Sequence, residues 1–209
     1  MAAKRSRRGT GYKISLFFFI AFCGALILVF ALPFISGKSK LPVLGQPGHI
    51  TGSFSLKDQD GATITEAGVR DKIRVVEYFF TTCKGICPIM NHNLQQVDQA
   101  FEDRPDVVIL SHTVDPEHDS VSVMREYAHS MKAKADKWYF LTGSKQELYS
   151  LAIRDYLLSV DSASGEDIDH QFIHTAYVAL VDKQNRIRGF YDATNEKEIV
   201  RLIKDIKQL

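Results

Sequence analysis

Two cysteines, Cys83 and Cys87, are the residues of this sequence whose type and spacing most directly suggest chemistry. They lie in the stretch FFTTCKGICPIMN, where an apolar, β-like run gives way to a helix-like one. A helix N-terminus stabilises negative charge and therefore favours the thiolate, which is the form of cysteine that attacks disulfides and binds metals. The pair is interpreted as a redox pair, a soft-metal site, or both.

The spacing of the two cysteines keeps both interpretations open. Three residues, Lys84, Gly85 and Ile86, separate them, whereas thioredoxin-type redox pairs are separated by two. On a regular helix, positions i and i+4 have Cβ atoms about 5 to 6 Å apart, which suits a metal but is long for a disulfide unless the backbone bends. Gly85 permits such a bend, so the sequence predicts both a metal-bound and a disulfide state.

Two thiolates leave a metal short of ligands, and His174 is the best candidate for a third. It lies in the stretch IDHQFIHTAYVALVD, just before a predicted strand whose start would approach the cysteines if that strand packs near the central one. His170 is an alternative, and a loop histidine without a ligand role is the ordinary interpretation of either. A Cys, Cys, His set suits Cu(I) and also Cu(II), whereas structural zinc normally takes four protein ligands, so copper is preferred over zinc.

The remaining histidines that we considered are assigned no ligand role. His92 is predicted to point away from the face of the helix that carries Cys87, because five residues correspond to about 500° of helical rotation. His112 is predicted to be a hydrogen-bonded histidine of the core, and His118 and His129 are predicted to be solvated.

An acidic turn, formed by Asp115, Pro116, Glu117 and Asp119, follows the second predicted core strand. A hard-cation site is conceivable there, but turn and helix-capping chemistry is the commoner role of such residues. As a minor hypothesis, Asp115 lies near the cysteines and contributes to the docking of a partner.

The N-terminal part of the sequence predicts a membrane anchor. Residues 14–35 contain no charged residue and, at about 1.5 Å per helical residue, are long enough to cross a bilayer core of about 30 Å. Five basic residues precede this run, namely Lys4, Arg5, Arg7, Arg8 and Lys13. The positive-inside rule then places the N-terminus in the cytoplasm and the chain beyond about residue 40 on the periplasmic side of a bacterial inner membrane. A cleaved signal peptide is the competing interpretation, and Cys23 is read as a small apolar residue of the membrane helix.

Composition limits the remaining function classes. Residues 1–40 contain seven Lys and Arg and no acidic residue, which leaves 19 basic against 25 acidic residues in the rest of the chain. A nucleic-acid partner is therefore not expected, because the exported part lacks the positive charge that displaces counterions from phosphate. Three cysteines are also too few for a disulfide-stapled scaffold.

Residue patterns divide the chain into a basic N-terminus (1–13), the transmembrane anchor (14–35), a linker (36–52) and one globular domain (53–209). The domain is predicted to contain a hairpin at 53–65, strands at 73–80, 107–114 and 138–141, helices from about Pro88, at 121–135 and at 144–158, a hairpin of strands 177–181 and 186–191, and a helix at 195–208. Ser144 is predicted to cap the third of these helices in a capping box with Glu147. This order predicts an α/β, thioredoxin-like fold with an N-terminal β-hairpin and an α/β insertion. Its cysteine loop would lie at the carboxyl end of the central strand, where α/β sheets usually hold ligands.

The anchor, TTCKGICPIM, TVDPEHDS and His174 before YVALVD together resemble the SCO/SenC family, the copper-binding, thioredoxin-like assembly factors of cytochrome c oxidase. The resemblance covers roughly residues 54–209. It implies that Cys83, Cys87 and His174 are copper ligands and that the partner is oxidase subunit II or a related copper protein. The implied role is that of a metallochaperone delivering copper to the binuclear centre of that subunit, or of a reductant of the subunit's cysteines.

Two other functions remain open for the same cysteines. The domain could be a thiol-disulfide oxidoreductase without a physiological metal, served by a thioredoxin-like reductant. It could also be a binding module in which the cysteines form only a structural disulfide, although a bridge that closes so short a loop stabilises a fold little.

Overall fold

The computed structural model describes residues 41–158 and 175–209, together with Phe19, Phe22 and Cys23. The chain divides into two units, Met1–Lys40 and Leu41–Leu209. In the described part of the second unit, the strands and helices in chain order are β1 (Ser55–Lys57), β2 (Thr63–Thr65), β3 (Ile73–Phe79), α1 (Ile86–Ala100), β4 (Val107–Thr113), α2 (Val121–Ser130), β5 (Trp138–Leu141), α3 (Lys145–Ser150), β6 (Tyr177–Val181), β7 (Ile187–Asp192) and α4 (Glu196–Ile206). A short 3-10 helix covers Ala67–Val69, and a π-helical turn, Leu151–Asp155, continues α3.

Five strands form the central sheet in the order β5-β4-β3-β6-β7. The strands β3, β4 and β5 are parallel, whereas β6 is antiparallel to β3 and β7 is antiparallel to β6. The central strand β3 is buried along its whole length, as its apolar and β-branched sequence predicts. Because β6 runs against β3, the amino end of β6 lies beside the carboxyl end of β3.

Alternation along β3 sends its side chains into two cores, one on each face of the sheet. Ile73, Val75 and Phe79 belong to a core with residues of α1, α2 and α4, which we call the α1 face. Val76 and Tyr78 belong to a second core with residues of α3 and the N-terminal hairpin, on the opposite face. The odd-numbered residues of β3 therefore point to the α1 face, and the even-numbered residues point to the opposite face.

The predicted N-terminal hairpin is confirmed as the antiparallel pair β1 and β2, in which Leu56 is opposite Ile64. Gly61 adopts a φ of +83° at the turn, a left-handed conformation that glycine enters without steric cost. An isolated bridge between Lys57 and Thr142 joins the hairpin to the segment after β5.

The predicted order of strands and helices is confirmed, with differences at the ends of helices. The helix predicted for 121–135 ends at Ser130, and the one predicted for 144–158 is α-helical only to Ser150 before it becomes π-helical. Ser144 caps α3 by accepting from the N–H of Glu147 at 3.2 Å, as predicted. The carboxylate of Glu147 accepts instead from the backbone N–H of Ser55 at 3.0 Å, and so ties α3 to the N-terminal hairpin.

The predicted membrane anchor falls almost entirely outside the described residues. Among the helices that are described, none combines the length and the apolar character needed to cross a bilayer. The anchor at 14–35 stays a prediction.

Candidate metal and redox site

Cys83 and Cys87 lie on either side of the start of α1. Cys83 is half-buried in the segment 80–85, which we call the cysteine loop, and its backbone N–H donates to the carbonyl of Phe80 at 3.2 Å. Cys87 is in the first turn of α1, where it is 4% exposed and belongs to the α1-face core with Phe79 and Met90. One thiol is thus within reach of a partner, and the other is held inside the domain.

The N-terminus of α1 stabilises negative charge on Cys83. The N-cap residue, Gly85, has no side chain to bond the free N–H groups of the first turn. Burial opposes ionisation of Cys83, but its sulfur accepts hydrogen bonds from the Cys87 thiol and from the backbone N–H groups of Cys87, Gly85 and Ile86. These bonds outweigh the burial, and the pKa of Cys83 is lowered.

The two thiols differ in their readiness to ionise. Burial, together with the hydrogen bond that Cys87 donates to Cys83, raises the pKa of the Cys87 thiol. Both cysteines are free thiols in the structure. The arrangement fits thiol-disulfide exchange, in which Cys83 attacks first as the thiolate and Cys87 acts second.

The cysteine pair also suits a soft metal, because it places two sulfur ligands on either side of the start of α1. In the parts of the chain that the structure describes, no group of three or more His, Cys, Asp or Glu side chains is arranged to hold a metal ion. His170 and His174 lie outside the described residues, so the predicted third ligand stays a prediction. The strand predicted to follow His174 does pair with the central strand, with Ala179 of β6 opposite Val76 of β3.

Glu77 is a buried carboxyl on the α1 face that our reading of the sequence did not single out. It lies in β3 between Val75 and Phe79, is fully buried, and accepts a hydrogen bond from the hydroxyl of Ser111 on β4. Burial raises its pKa to about 7, although the bond from Ser111 favours the charged form. The signal in the sequence was a glutamate between Val76 and Tyr78, in the middle of a predicted core strand.

Asn91 connects this carboxyl to the cysteine helix. It follows Cys87 by one helical turn, and the amide orientation that satisfies its neighbours donates from Nδ2 to Glu77 Oε1 at 2.8 Å. Its Oδ1 accepts from the hydroxyl of Tyr127 on α2 at 2.7 Å. Ser111 in turn accepts from Trp138 Nε1 at 2.7 Å, so a buried polar network joins α1 and α2 to three strands beneath Cys87.

The sequence pattern predicts that Asp119 belongs to a turn and caps the following helix. For this residue the predicted capping role is wrong. The N-cap of α2 is Ser120, whose hydroxyl accepts from the N–H of Val123. Asp119 is fully buried, and its carboxylate accepts from the backbone and the hydroxyl of Thr81 and from the hydroxyl of Thr113. Thr81 belongs to the cysteine loop, so this part of the acidic turn supports the candidate site.

Three of the histidine assignments are confirmed. His92 and His129 are exposed, and His118 is exposed and pairs with Asp115 at 2.8 Å, which raises the pKa of His118. His112 is a core residue, as predicted. Its ring lies between aromatic side chains, including Tyr78 at 5.0 Å. Burial there lowers the pKa of His112 to about 4.

Exposed apolar side chains lie on α1 near the two cysteines and at the start of β6. Ile86 and Ile89 of α1 are 36% and 50% exposed, and Tyr177 at the start of β6 is 51% exposed. Lys84 and Pro88 are also exposed beside the cysteines. This surface is available to a protein that approaches Cys83.

Comparison with protein families matches residues 43–209 to the SCO1/SenC family. The matched range contains both cysteines and the whole described sheet. The SCO1 protein homolog of Bacillus subtilis is 28% identical over 156 residues, which are 74% of this chain and 79% of that relative.

Solved structures show the same architecture. BsSco, a member of the Sco family of cytochrome c oxidase assembly proteins in which a disulfide switch was identified, is similar with a TM-score of 0.67 and 24% identity, over 81% of this chain and 96% of that one. Arabidopsis thaliana ScoI, solved with copper bound, is similar with a TM-score of 0.60 and 28% identity, over 77% of this chain and 99% of that one. The predicted thioredoxin-like fold is thereby confirmed.

Proposed function

Because the chain belongs to the SCO1/SenC family, we propose that it binds copper through Cys83, Cys87 and His174 and serves the assembly of cytochrome c oxidase. The observation that carries this proposal is the placement of two free cysteines at the start of α1, one half-buried and one buried. Thiolate is a soft ligand that suits Cu(I), and the copper-bound Arabidopsis relative supports copper as the metal.

His174 completes the proposed ligand set. Its strand, β6, is the antiparallel neighbour of β3, and the described chain resumes at Thr175 beside the end of β3 that leads into the cysteine loop. Topology therefore supports His174 over His170, which is four residues farther from β6.

Each side chain of the site has a distinct task in taking up copper as cargo. Cys83, half-buried and with a lowered pKa, presents a thiolate to an incoming ion. Cys87 must lose its proton to become the second ligand, and it gives that proton up to solvent as the metal replaces it. Release to a recipient requires the reverse step, so the protonation of Cys87 favours transfer of the ion.

The recipient that we propose is the binuclear copper centre of oxidase subunit II, or a related copper protein. The exposed apolar residues Ile86 and Ile89, on the helix that begins at the cysteine pair, support a protein as the partner. The uncharged run at 14–35 and the basic residues before it support a single-pass anchor that holds the domain, 53–209, on the periplasmic side.

Copper titration tests the function directly. The full chain carrying Cys23→Ser, which retains Cys83 and Cys87 as its thiols, should bind one equivalent of Cu(I) in the presence of a chromophoric competitor. Cys83→Ser and His174→Ala should each weaken binding severely, whereas the exposed His92→Ala should not. Undiminished binding by both site variants would refute the proposal.

Thiol-disulfide exchange is the second candidate function, and the opposite shifts in the pKa values of Cys83 and Cys87 favour it. In this role the pair would reduce a disulfide of the oxidase subunit or of another exported protein, and a thioredoxin-like protein would restore it. Variants tested in cells distinguish the two functions. A reductase needs both cysteines but not His174, so His174→Ala should keep activity if reduction is the function and lose it if copper binding is.

A further inference from the structure

The carboxylate of Asp119 is buried at the carboxyl ends of β3 and β4, where the chain passes from β3 into the cysteine loop. Its Oδ2 accepts from the backbone N–H of Thr81 at 3.2 Å and from the hydroxyl of Thr113, and its Oδ1 accepts from the hydroxyl of Thr81. A carboxylate is stable in such a place only when hydrogen-bond donors surround it. The three residues are therefore held to one another, and we call this set the Asp119 bridge.

The Asp119 bridge connects the cysteine loop to the neighbouring strand. Thr113 is the last residue of β4, and the next residue, Val114, donates its N–H to the carbonyl of Phe79 at the end of β3 at 2.9 Å. Thr81 follows that point by two residues and precedes Cys83 by two. Beyond Thr81 the residues Thr82, Lys84 and Gly85 are exposed, so the bridge is a buried attachment of the loop just before its thiol.

The two sulfurs are held by different means. Cys87 is fixed by the hydrogen bonds of α1 and by its burial in the α1-face core. Cys83 lies outside the helix, and besides the bond from its N–H to Phe80 and its packing against the α1-face core, its position depends on the path of the backbone from Thr81. The Asp119 bridge thus acts on one partner of the pair and not on the other.

We propose that Asp119 is a positioning residue for Cys83, acting through Thr81 to hold its sulfur where it can meet the sulfur of Cys87. The inference deepens the proposed function and rests on it, since both copper binding and disulfide formation require the two sulfurs to converge. If Asp119 served only to stabilise the turn before α2, its loss would lower stability without a separate effect on the closure of the pair.

A two-step reaction with dithiobis-nitrobenzoate measures this convergence without any metal. In the first step the Cys83 thiolate attacks one sulfur of the reagent, the bond between the reagent's sulfurs breaks, and one nitrothiobenzoate leaves as the thiolate. In the second step Cys87 loses its proton to the buffer and attacks the Cys83 sulfur. The Cys83–Cys87 disulfide forms and the second nitrothiobenzoate leaves. The rate of the second step reports how closely the two sulfurs are held.

The chain offers a matched pair of variants for this test. Thr81→Val and Thr113→Val each remove one hydroxyl that donates to the same carboxylate, and each keeps a β-branched side chain. Only Thr81 belongs to the cysteine loop. Both are made in the full chain carrying Cys23→Ser, and the free energy of unfolding of the reduced protein is measured beside the two rates.

We expect Thr81→Val to slow the second step by roughly threefold or more, because effective concentration falls steeply when one reacting group is loosened. Thr113→Val should leave that step unchanged even though it lowers the free energy of unfolding. Asp119→Asn, which keeps one acceptor oxygen, should slow closure less than Asp119→Ala does. The first step, which involves Cys83 alone, should change little in all of these variants.

A second step at the normal rate in Thr81→Val would overturn the proposal, and so would an equal slowing in Thr81→Val and Thr113→Val. If Asp119→Ala does not fold, the two threonine variants still decide the matter. Copper titration of the parent chain is a separate experiment that tests the proposed function. A parent that binds no copper refutes the proposed function, while the closure rates alone decide the role of Asp119.

Discussion

Ser111 donates its hydroxyl hydrogen to the carboxyl of Glu77 at the fully buried centre of the sheet, on the face that carries Cys87. The two residues are directly opposite each other in the parallel pairing of β3 with β4. A carboxyl held by neutral donors and removed from water retains its proton to a higher pH than it does in the unfolded chain. This relationship makes the stability of the domain depend on pH near neutrality.

We predict that Glu77→Gln abolishes a loss of stability that the parent protein shows as pH rises. The pKa of Glu77 is raised from 4.5 to about 7 in the folded state, so folding is favoured by the bound proton below pH 4.5 and loses that contribution as pH rises towards 7. The full difference corresponds to about 3 kcal/mol. Denaturant unfolding at pH 5 and pH 8 should show Glu77→Gln gaining about 2 to 3 kcal/mol relative to the parent between the two values, because a small part of the loss has already occurred at pH 5.

Asp106→Asn is the matched control for this titration. Hydrogen bonds from Arg104, together with Lys183, lower the pKa of Asp106, so that carboxyl is charged in both the folded and the unfolded states between pH 5 and pH 8. Its effect on the free energy of unfolding should be the same at the two pH values. A constant difference for Glu77→Gln as well would contradict the prediction.

We predict that Cys83 is alkylated well before Cys87. Cys83 is half-buried with a lowered pKa, whereas Cys87 is buried with a raised pKa, and only the thiolate reacts at an appreciable rate. Treatment with iodoacetamide at pH 7, followed by peptide mass spectrometry, should give a rate for Cys83 that is roughly a hundredfold greater than that for Cys87.

Cys87→Ala should slow the alkylation of Cys83, because it removes the thiol that donates to the Cys83 sulfur and lets the pKa of Cys83 rise. Cys23→Ala, which removes the remaining cysteine, serves as the control. Equal rates for Cys83 with and without Cys87 would show that the backbone N–H groups of α1 alone stabilise the thiolate.

We predict that the affinity for Cu(I) rises with pH. Binding displaces the proton of Cys87 and any proton that remains on Cys83. While the pH is below the pKa of a thiol, each proton released increases the apparent affinity about tenfold per pH unit. Competition titrations at pH 6.5 and pH 7.5 should therefore differ by roughly ten- to a hundredfold. An affinity that does not change between these values would count against thiolate ligands.

We predict that Arg188→Ala destabilises the domain far more than Arg186→Ala does. Arg188 and Asp182 form a buried ion pair at 2.7 Å, and Arg188 Nε also donates to the carbonyl of Pro42 at 2.8 Å. Loss of Arg188 leaves Asp182 buried with a weaker set of partners, which costs about 3 to 5 kcal/mol. Denaturant unfolding gives the comparison.

The arginine of the neighbouring pair lies nearer to solvent. Arg186 contacts the same carboxylate at 2.8 Å, but its side chain is 38% exposed, and such pairs contribute about 0 to 1 kcal/mol. Equal losses in the two single arginine variants would be inconsistent with the buried pair.

Local patterns in the sequence were enough to predict the order of strands and helices and the placement of both cysteines at the start of a helix. The apolar run of β3, Pro88 in the first turn of α1 and the serine cap of α3 each depend on residues close together in the chain, so their signals are readable from the sequence. His174 and the anchor at 14–35 are also inferences from the sequence, and they stay predictions.

The tertiary structure alone decided what surrounds the two thiols. Glu77 meets Ser111 across 34 residues of chain, Thr81 meets Asp119 across 38, and Asn91 meets Tyr127 across 36. Residues so far apart share no periodicity, and a turn such as DPEHD has the same local signal whether its last carboxylate faces solvent or the core. The sequence by itself determined that two cysteines, Cys83 and Cys87, lie at the start of a helix with three residues between them. Only the fold decided that Cys83 is half-buried with a lowered pKa and Cys87 is buried with a raised pKa, because burial and hydrogen bonding depend on packing between distant segments.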